Sequence, residues 1–383
     1  MKKKCYLHKK NPINLITEFQ DYYFFGKTLL KFGICSQCGH IFQSHTVSYK
    51  KLDTHYKKML IYYDNIKKPT LQKITSVKRH LSIIKHEMKT FPKRVLEVSS
   101  MNPYNLLQFK KNGSKYIEAL EPNSRVSMSL KNKFDIKVHN CKIENYNSEK
   151  KYDLIILTHV LEHIFDPLKA LKTCYKIQKF DQKILVEVPL FEKVENYKVG
   201  ALHLEHLQYF SEATLIETLT KSGYQPEYIS KIYNSTPFPF ITILASKKKN
   251  LNVIKSLDYK SQLKNIKQYI FLSKNHWKKI DLFLNKFIGE KPIYLYGAGF
   301  FTSNLLHYTS VSKKFNIEAI IDSSPIKQGK TLANYKIIAP KLKNLKPKSI
   351  IIIASESCQD SIYESIKRLK SRGFLIVRLF RNN

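Results

Sequence analysis

Two cysteine-bearing pairs stand near the start of the chain, Cys5-x2-His8 and Cys35-x2-Cys38, separated by 26 residues (9–34). Thiolates and imidazole at this spacing can close a tetrahedral zinc site, and a module of some 60 residues lacks the core to fold without a staple. The Cys35-Ser36-Gln37-Cys38-Gly39 knuckle is the stronger half; His8 is the weaker ligand, and His40 or His45 could replace it. The alternative is a module that keeps its shape without metal. A second stretch, Arg94–Glu121, reads as a buried strand (Val95–Val98), a turn, a helix, and a strand (Tyr116–Leu120) ending on the acid Glu121. That is half of a nucleotide-binding α/β unit, with the carboxylate where a ribose diol sits. Its turn, Ser99-Ser100-Met101-Asn102-Pro103, carries none of the glycine that lets backbone approach a ligand. The third stretch is Gly297-Ala298-Gly299, after the strand Pro292–Tyr296, with Asp322 behind the next strand, Ala319–Ile321.

The surrounding pattern supplies the elements that hold these residues. A chain of 383 residues exceeds what one core organises, so two or three domains are expected. Residues 61–92 carry Leu71, Ile74, Val77, Leu81 and Ile84 at helical spacing, ended by Phe91-Pro92. Strands are expected at 94–98, 116–120, 135–138, 153–157 and 183–188, with 227–232 and 240–246 closing the sheet and helices between. Residues 247–288 contain no Gly or Pro, and Leu251, Ile254, Leu257, Leu263, Ile266, Ile270, Trp277, Ile280 and Leu284 predict linking helices. An α/β pattern restarts at 290. The expected architecture is α/β: a mostly parallel seven-stranded sheet with an antiparallel edge (61–248), a small zinc module (1–60), a helical linker (249–289) and a second, smaller Rossmann-like domain (290–383).

Composition removes several classes. The longest apolar runs, such as Ile350–Ala354, have strand length, so no transmembrane helix is expected. Met-Lys-Lys-Lys-Cys has no apolar stretch behind it, so a secretory signal is not expected and a cytoplasmic location is. The net charge of +36 invites a nucleic-acid reading. The lysines instead spread over every segment without a dense block, which favours solvated faces and a field that draws in an anionic substrate. The six cysteines do not suggest a disulfide framework in a chain of this size.

Val95-Leu96-Glu97-Val98, Leu120-Glu121-Pro122-Asn123, the run Tyr152–His163 and His206-Leu207-Gln208-Tyr209-Phe210-Ser211 together resemble the class I S-adenosylmethionine-dependent methyltransferases. The three-part layout is similar to that of the sugar C-methyltransferases, which act on nucleotide-linked deoxysugars. The resemblance implies S-adenosylmethionine held by Glu97, Ser99, Ser100, Asn102 and Glu121, with Asn140 and Cys141 beside the adenine. The family turn resembles E-x-G-x-x-x-G; here Ser99 and Pro103 replace both glycines. It implies catalytic roles for His163 and for Glu205 and His206, which match the end of a Y-H-E-H-like motif supplying a base. His203 then stands on the substrate side, as do Gly297, Gly299 and Asp322, holding the nucleotide part of a sugar substrate. His206 reads two ways: as the base, or as a cap or anchor for the helix starting near Ser211. The function implied is methyl transfer to a nucleotide sugar or polysaccharide precursor. Its alternatives are sugar O-methylation and a non-catalytic binding protein on the same fold.

Overall fold

The computed structural model describes residues 4–10, 12–21, 28–45, 52, 54, 56, 69–100, 102–134, 136–197, 199–234, 238–249, 251–356 and 358–380. The chain divides into two compact units: residues 1–17 with 31–268, and residues 18–30 with 269–383.

The N-terminal strands are β1 (Ile13–Asp21) and β2 (Thr28–Ile34), each only partly within the first unit, and β3 (Ile41–His45), wholly within it. Helix α1 (Leu71–Glu87) begins at Thr70, whose side chain accepts from Lys73 N, and buries Val77, Leu81 and Ile84 along one stripe. The predicted helical stretch 61–68 lies outside the described residues. The central sheet is built from β4 (Arg94–Val98), β5 (Tyr116–Leu120), β6 (Lys137–His139), β7 (Tyr152–Thr158), β8 (Gln178–Pro189), β10 (Tyr224–Ile232) and β11 (Phe240–Lys247). The two-residue strand β9 (Gln208–Tyr209) lies between β8 and β10 in sequence. The helices of this unit are α2 (Tyr104–Lys111), α3 (Ser124–Phe134), α4 (Pro167–Lys176) and α5 (Glu212–Lys221).

The sheet order is β10-β11-β8-β7-β4-β5-β6. β4, β5, β6, β7 and β8 pair in parallel, while β11 runs antiparallel to both β8 and β10. The reversed strand is therefore second from the edge, and the edge strand β10 runs with the others; the expected antiparallel edge is displaced by one strand. The physical reason is the apolar content: all eight residues of β11 are buried, whereas in β10 only Tyr224 is buried and the rest are half-buried or exposed. One face of the sheet shares a continuous core with the N-terminal segment: Tyr6, Leu7 and Phe42 pack in one cluster with Leu96, Ile155, Leu215 and Ile243.

Residues 251–258 contain no helix, although their leucine and isoleucine spacing predicted one; Ile254 is 50% and Leu257 88% exposed. The linking helices reduce to one, α6 (Tyr259–Leu284). Its stripe of Ile266, Tyr269, Trp277, Ile280 and Leu284 is buried. The second unit holds a six-stranded sheet of order β14-β15-β13-β12-β16-β17, made of Thr331–Leu332, Tyr335–Ile338, Ile317–Ile321, Ile293–Tyr296, Ile350–Ile353 and Leu375–Arg378. Five of these strands are parallel and β14 is an antiparallel edge. Among the described residues no helix is long and apolar enough to cross a membrane.

Candidate active site

In an open α/β sheet, ligands meet the loops at the carboxyl ends of the strands. The end of β4 carries Glu97, buried, its two carboxylate oxygens taken by Ser100 Oγ at 2.7 Å and Asn105 Nδ2 at 2.8 Å. Ser99 stands where the glycine pattern begins and takes a left-handed φ of +58°, which costs a serine about 1 kcal/mol. The backbone N–H groups of Ser99 and Ser100 both donate to Leu120 O. Pro103 precedes α2 without an N–H to offer, and Asn102 Oδ1 accepts from Tyr104 N. At its start the turn thus takes a glycine-like left-handed φ, at Ser99, while the N–H groups of Ser99 and Ser100 are spent on Leu120.

Glu121 differs. It sits just past β5, with Oε1 accepting from Asn123 N at 2.8 Å. Oε2 is buried and makes no hydrogen bond among the described residues. Burial pushes this carboxyl up to about 7, opposed by the Asn123 N–H. Asn140 Nδ2 donates to the Glu121 carbonyl at 2.7 Å, while Cys141 packs half-buried against the apolar core.

A second group of side chains stands past β7. His159 follows the strand with φ +53°. Its Nδ1 lies 3.4 Å from Glu162 Oε1 and its Nε2 3.5 Å from Glu187 Oε1. Burial disfavours its charge, yet the carboxylates on either side outweigh this and raise its pKa. Glu187, at the end of β8, also meets Arg79, His80 and Thr242, and its carboxyl is held well below the usual range despite burial. His163 Nδ1 reaches the carbonyl of Glu205 at 3.0 Å. His206 packs its ring 4.9 Å from that of His163 and 4.0 Å from that of His203. Burial, aided by the neighbouring imidazoles, depresses its pKa well below the ordinary histidine value, so it is neutral. The carboxylate gathered closely with His163 and His206 is that of Glu162. Glu205 meets the cluster through its backbone carbonyl, and its charge raises the Tyr56 phenol, whose pKa burial raises first.

The loop carrying these histidines is fixed by the N-terminal segment. The Gln43 amide donates to the carbonyls of His203, Leu204 and His206 at 2.8–3.0 Å. β3 pairs with β9, and His40 Nε2 meets Gln208 Oε1 at 2.9 Å. The helix after the loop is capped by Ser211 and Thr214 in a reciprocal box, so His206 is not its cap. Neither Glu162 nor Gln43 is prominent in the sequence: Glu162 was legible only as a member of the Leu161-Glu162-His163 run, and Gln43 gave no signal.

Cys5, Cys35 and Cys38 converge as buried thiols, with Cys5 Sγ 3.9 Å from Cys38 Sγ and all three ligand atoms within 4.8 Å of one another. Hydrogen bonds from Cys38 and Cys5 hold the Cys35 thiol far down, and that partnership pushes the other two up. His8 gathers with Cys38 and Glu217 within the same reach. Its Nε2 is 2.9 Å from Glu217 Oε1, but neither atom is aligned for a hydrogen bond. The structure thus brings the three thiols together and sets His8 beside Cys38 and Glu217, not within the same reach of Cys5 and Cys35. His40 is spent on Gln208, and burial lowers its pKa to about 4; the side chain of His45 lies outside the described residues.

In the second unit, Gly297 has φ +111° and precedes Gly299, the residue before the helix Phe300–Tyr308 (α7). The Asp322 carboxylate accepts from Ala298 N at 2.7 Å, Ser324 N at 2.8 Å and Lys327 Nζ at 3.2 Å. It therefore braces its own glycine turn.

The strand order and the acid after β5 agree with what the resemblance to class I S-adenosylmethionine-dependent methyltransferases implied. Residues 78–229 match the family model described as a methyltransferase domain. The chain is similar in fold to 1,6-didemethyltoxoflavin-N1-methyltransferase of Burkholderia thailandensis, solved with S-adenosylhomocysteine. That match has 12% identity and a TM-score of 0.43, and covers 60% of this chain and 100% of that one. It is also similar to the N-methyltransferase NodS of Bradyrhizobium japonicum, with 11% identity, TM-score 0.40, and 50% and 97% covered. A third likeness is to an S-adenosylmethionine-dependent methyltransferase of Mesorhizobium loti, with 10% identity, TM-score 0.36, and 43% and 96% covered. Likeness at this level speaks to neither substrate nor mechanism. No curated protein matches the chain.

Proposed function

We propose that the chain transfers a methyl group from S-adenosylmethionine to a sugar, a nucleotide-linked deoxysugar or a polysaccharide precursor. The observation that carries the cofactor half is Glu121 Oε2, a buried carboxylate oxygen just past β5 without a hydrogen bond among the described residues, suited to a ribose hydroxyl. Glu97, Ser99, Ser100 and Asn102 would border the amino-acid part, with Asn140 and Cys141 near the base. The bound cofactor supplies an electrophilic methyl group on a sulfonium. The chain supplies positioning and a proton acceptor.

On the C-methylation reading, neutral His206 removes a proton next to a carbonyl of the sugar, and the surrounding histidines His163 and His203 shape the acceptor side. Glu205 would take part through its backbone carbonyl, which orients His163. A second reading, O-methylation of a sugar hydroxyl, gains from the position of Glu162: the carboxylate facing His163 and His206 is a buried one, suited to gripping a hydroxyl. Gly297, Gly299 and Asp322 remain candidates for the nucleotide part, and Cys5, His8, Cys35 and Cys38 for zinc. Titration with S-adenosylhomocysteine tests the cofactor half. Saturable binding that Glu121→Ala weakens about tenfold or more is expected; absence of binding at millimolar ligand would leave a non-catalytic binding protein.

A further inference from the structure

We propose that Glu162, His163 and His206 form a site for one divalent metal ion, whose open positions take hydroxyl oxygens of the acceptor. The ion site stands on its own geometry; its use in catalysis rests on the O-methylation reading, with His206 then a ligand and not the base.

Glu162 is 1% exposed, and neither carboxylate oxygen makes a hydrogen bond among the described residues. A buried carboxylate left in that state costs several kcal/mol unless a cation faces it. His159 is the imidazole beside it, 3.4 Å from Oε1; Glu187, its other neighbour, is also met by Arg79 and His80, so the oxygen of Glu162 that no cation faces among the described residues is Oε2.

His163 gives the stronger sign. The carbonyl of Glu205, 3.0 Å from Nδ1, can only accept, so Nδ1 carries the proton and Nε2 presents a lone pair. That nitrogen lies 3.8 Å from Glu162 Oε1. Two acceptors face each other there at a separation too long for a hydrogen bond. Ligands bound at about 2.1 Å to one ion stand about 3–4 Å apart. A ring fixed by Nδ1–H to a backbone carbonyl is also how proteins commonly orient an imidazole toward a metal. His206 completes the set, its ligand nitrogen within 4.8 Å of the other two ligand atoms. Two imidazoles and one carboxylate suit zinc, iron(II), cobalt(II) or manganese(II), and leave positions open for oxygen ligands. Two ligands come from one short turn after β7, and the third from the loop that Gln43 clamps.

The test uses the full chain, stripped with a chelator and titrated with Co2+. Cobalt on thiolates absorbs strongly in the near ultraviolet; cobalt on nitrogen and oxygen shows only weak visible bands, so the two sites are read separately. One Co2+ without thiolate absorption is expected per chain. Glu162→Gln should weaken that ion at least about tenfold while leaving the thiolate bands and the binding of S-adenosylhomocysteine as they were. His206→Asn should act likewise, and Cys35→Ser should leave this ion in place. No such ion in the wild type at millimolar Co2+, or equal affinity in Glu162→Gln, overturns the proposal. Methylation with the ion absent would leave the C-methylation reading standing, and failure to bind S-adenosylhomocysteine would sink the methyltransferase reading alone.

Discussion

Glu121 makes cofactor binding a pH-dependent event of calculable size. Burial lifts its carboxyl from an ordinary 4.5 to about 7 in the unliganded fold. Two hydroxyl donors of a ribose would stabilise the ionised form and return the pKa toward its ordinary value. Affinity then scales with the fraction of Glu121 ionised in the free protein. That fraction is about 0.1 at pH 6 and about 0.9 at pH 8, so S-adenosylhomocysteine should bind about tenfold more tightly at pH 8. Near pH 7 binding should release about half a proton, measurable by isothermal titration in buffers of different ionisation enthalpy. The sign for stability is opposite. A raised carboxyl favours the folded state fully below the unfolded pKa and loses that contribution as the pH rises through about 7, by up to ~3 kcal/mol in the unliganded protein. Glu121→Gln should flatten both profiles. An affinity that does not change between about pH 6 and pH 8, or an equal slope in Glu121→Gln, would refute a ribose contact at this carboxylate.

Other substitutions probe the remaining parts. Gln43→Ala removes three hydrogen bonds to the 203–206 carbonyls and should cost about 1–3 kcal/mol in denaturant unfolding, with a larger fall in turnover than in cofactor affinity. Gly39→Ala should cost about 2 kcal/mol or more by thermal melting, because Gly39 has φ +77° and a Cβ there would stand 2.7 Å from the Asp258 and Tyr259 backbone. His206→Ala should lower turnover about 10²–10⁴-fold with S-adenosylhomocysteine affinity little changed. Metal analysis should find about one zinc bound by thiolates, absent from Cys35→Ser.

The order of β4–β8 was legible because parallel strands buried on both faces read as apolar runs, and Leu154, Ile155, Ile156 and Leu157 are all fully buried; the expected helix between β6 and β7 is replaced by a single 3-10 turn, Ile143–Asn145. The non-helical tract 251–258 was misread for a related reason: Leu251, Ile254 and Leu257 keep a helical interval whether or not anything covers them, and Ile254 and Leu257 are exposed. Cys5, Cys35 and Cys38 could be grouped by residue type alone. What Asp322 does could not, since its three partners depend on how the Gly297–Gly299 turn folds back. Glu162 escaped because its meaning lies in its burial and in the hydrogen bonds it does not make among the described residues. Gln43 escaped because its partners lie about 160 residues away, where local pattern carries no information.

The clamp of Gln43 on the 203–206 loop, together with the β3–β9 pairing, has a consequence for exchange of parts between proteins. The N-terminal segment behaves as half of a lock whose other half is coded far downstream. A chimaera that imports a foreign N-terminal segment would break three carbonyl contacts and a strand pair at once. Any exchange that preserves the acceptor loop must therefore carry residues 28–45 and 203–211 together, as one heritable piece split in sequence.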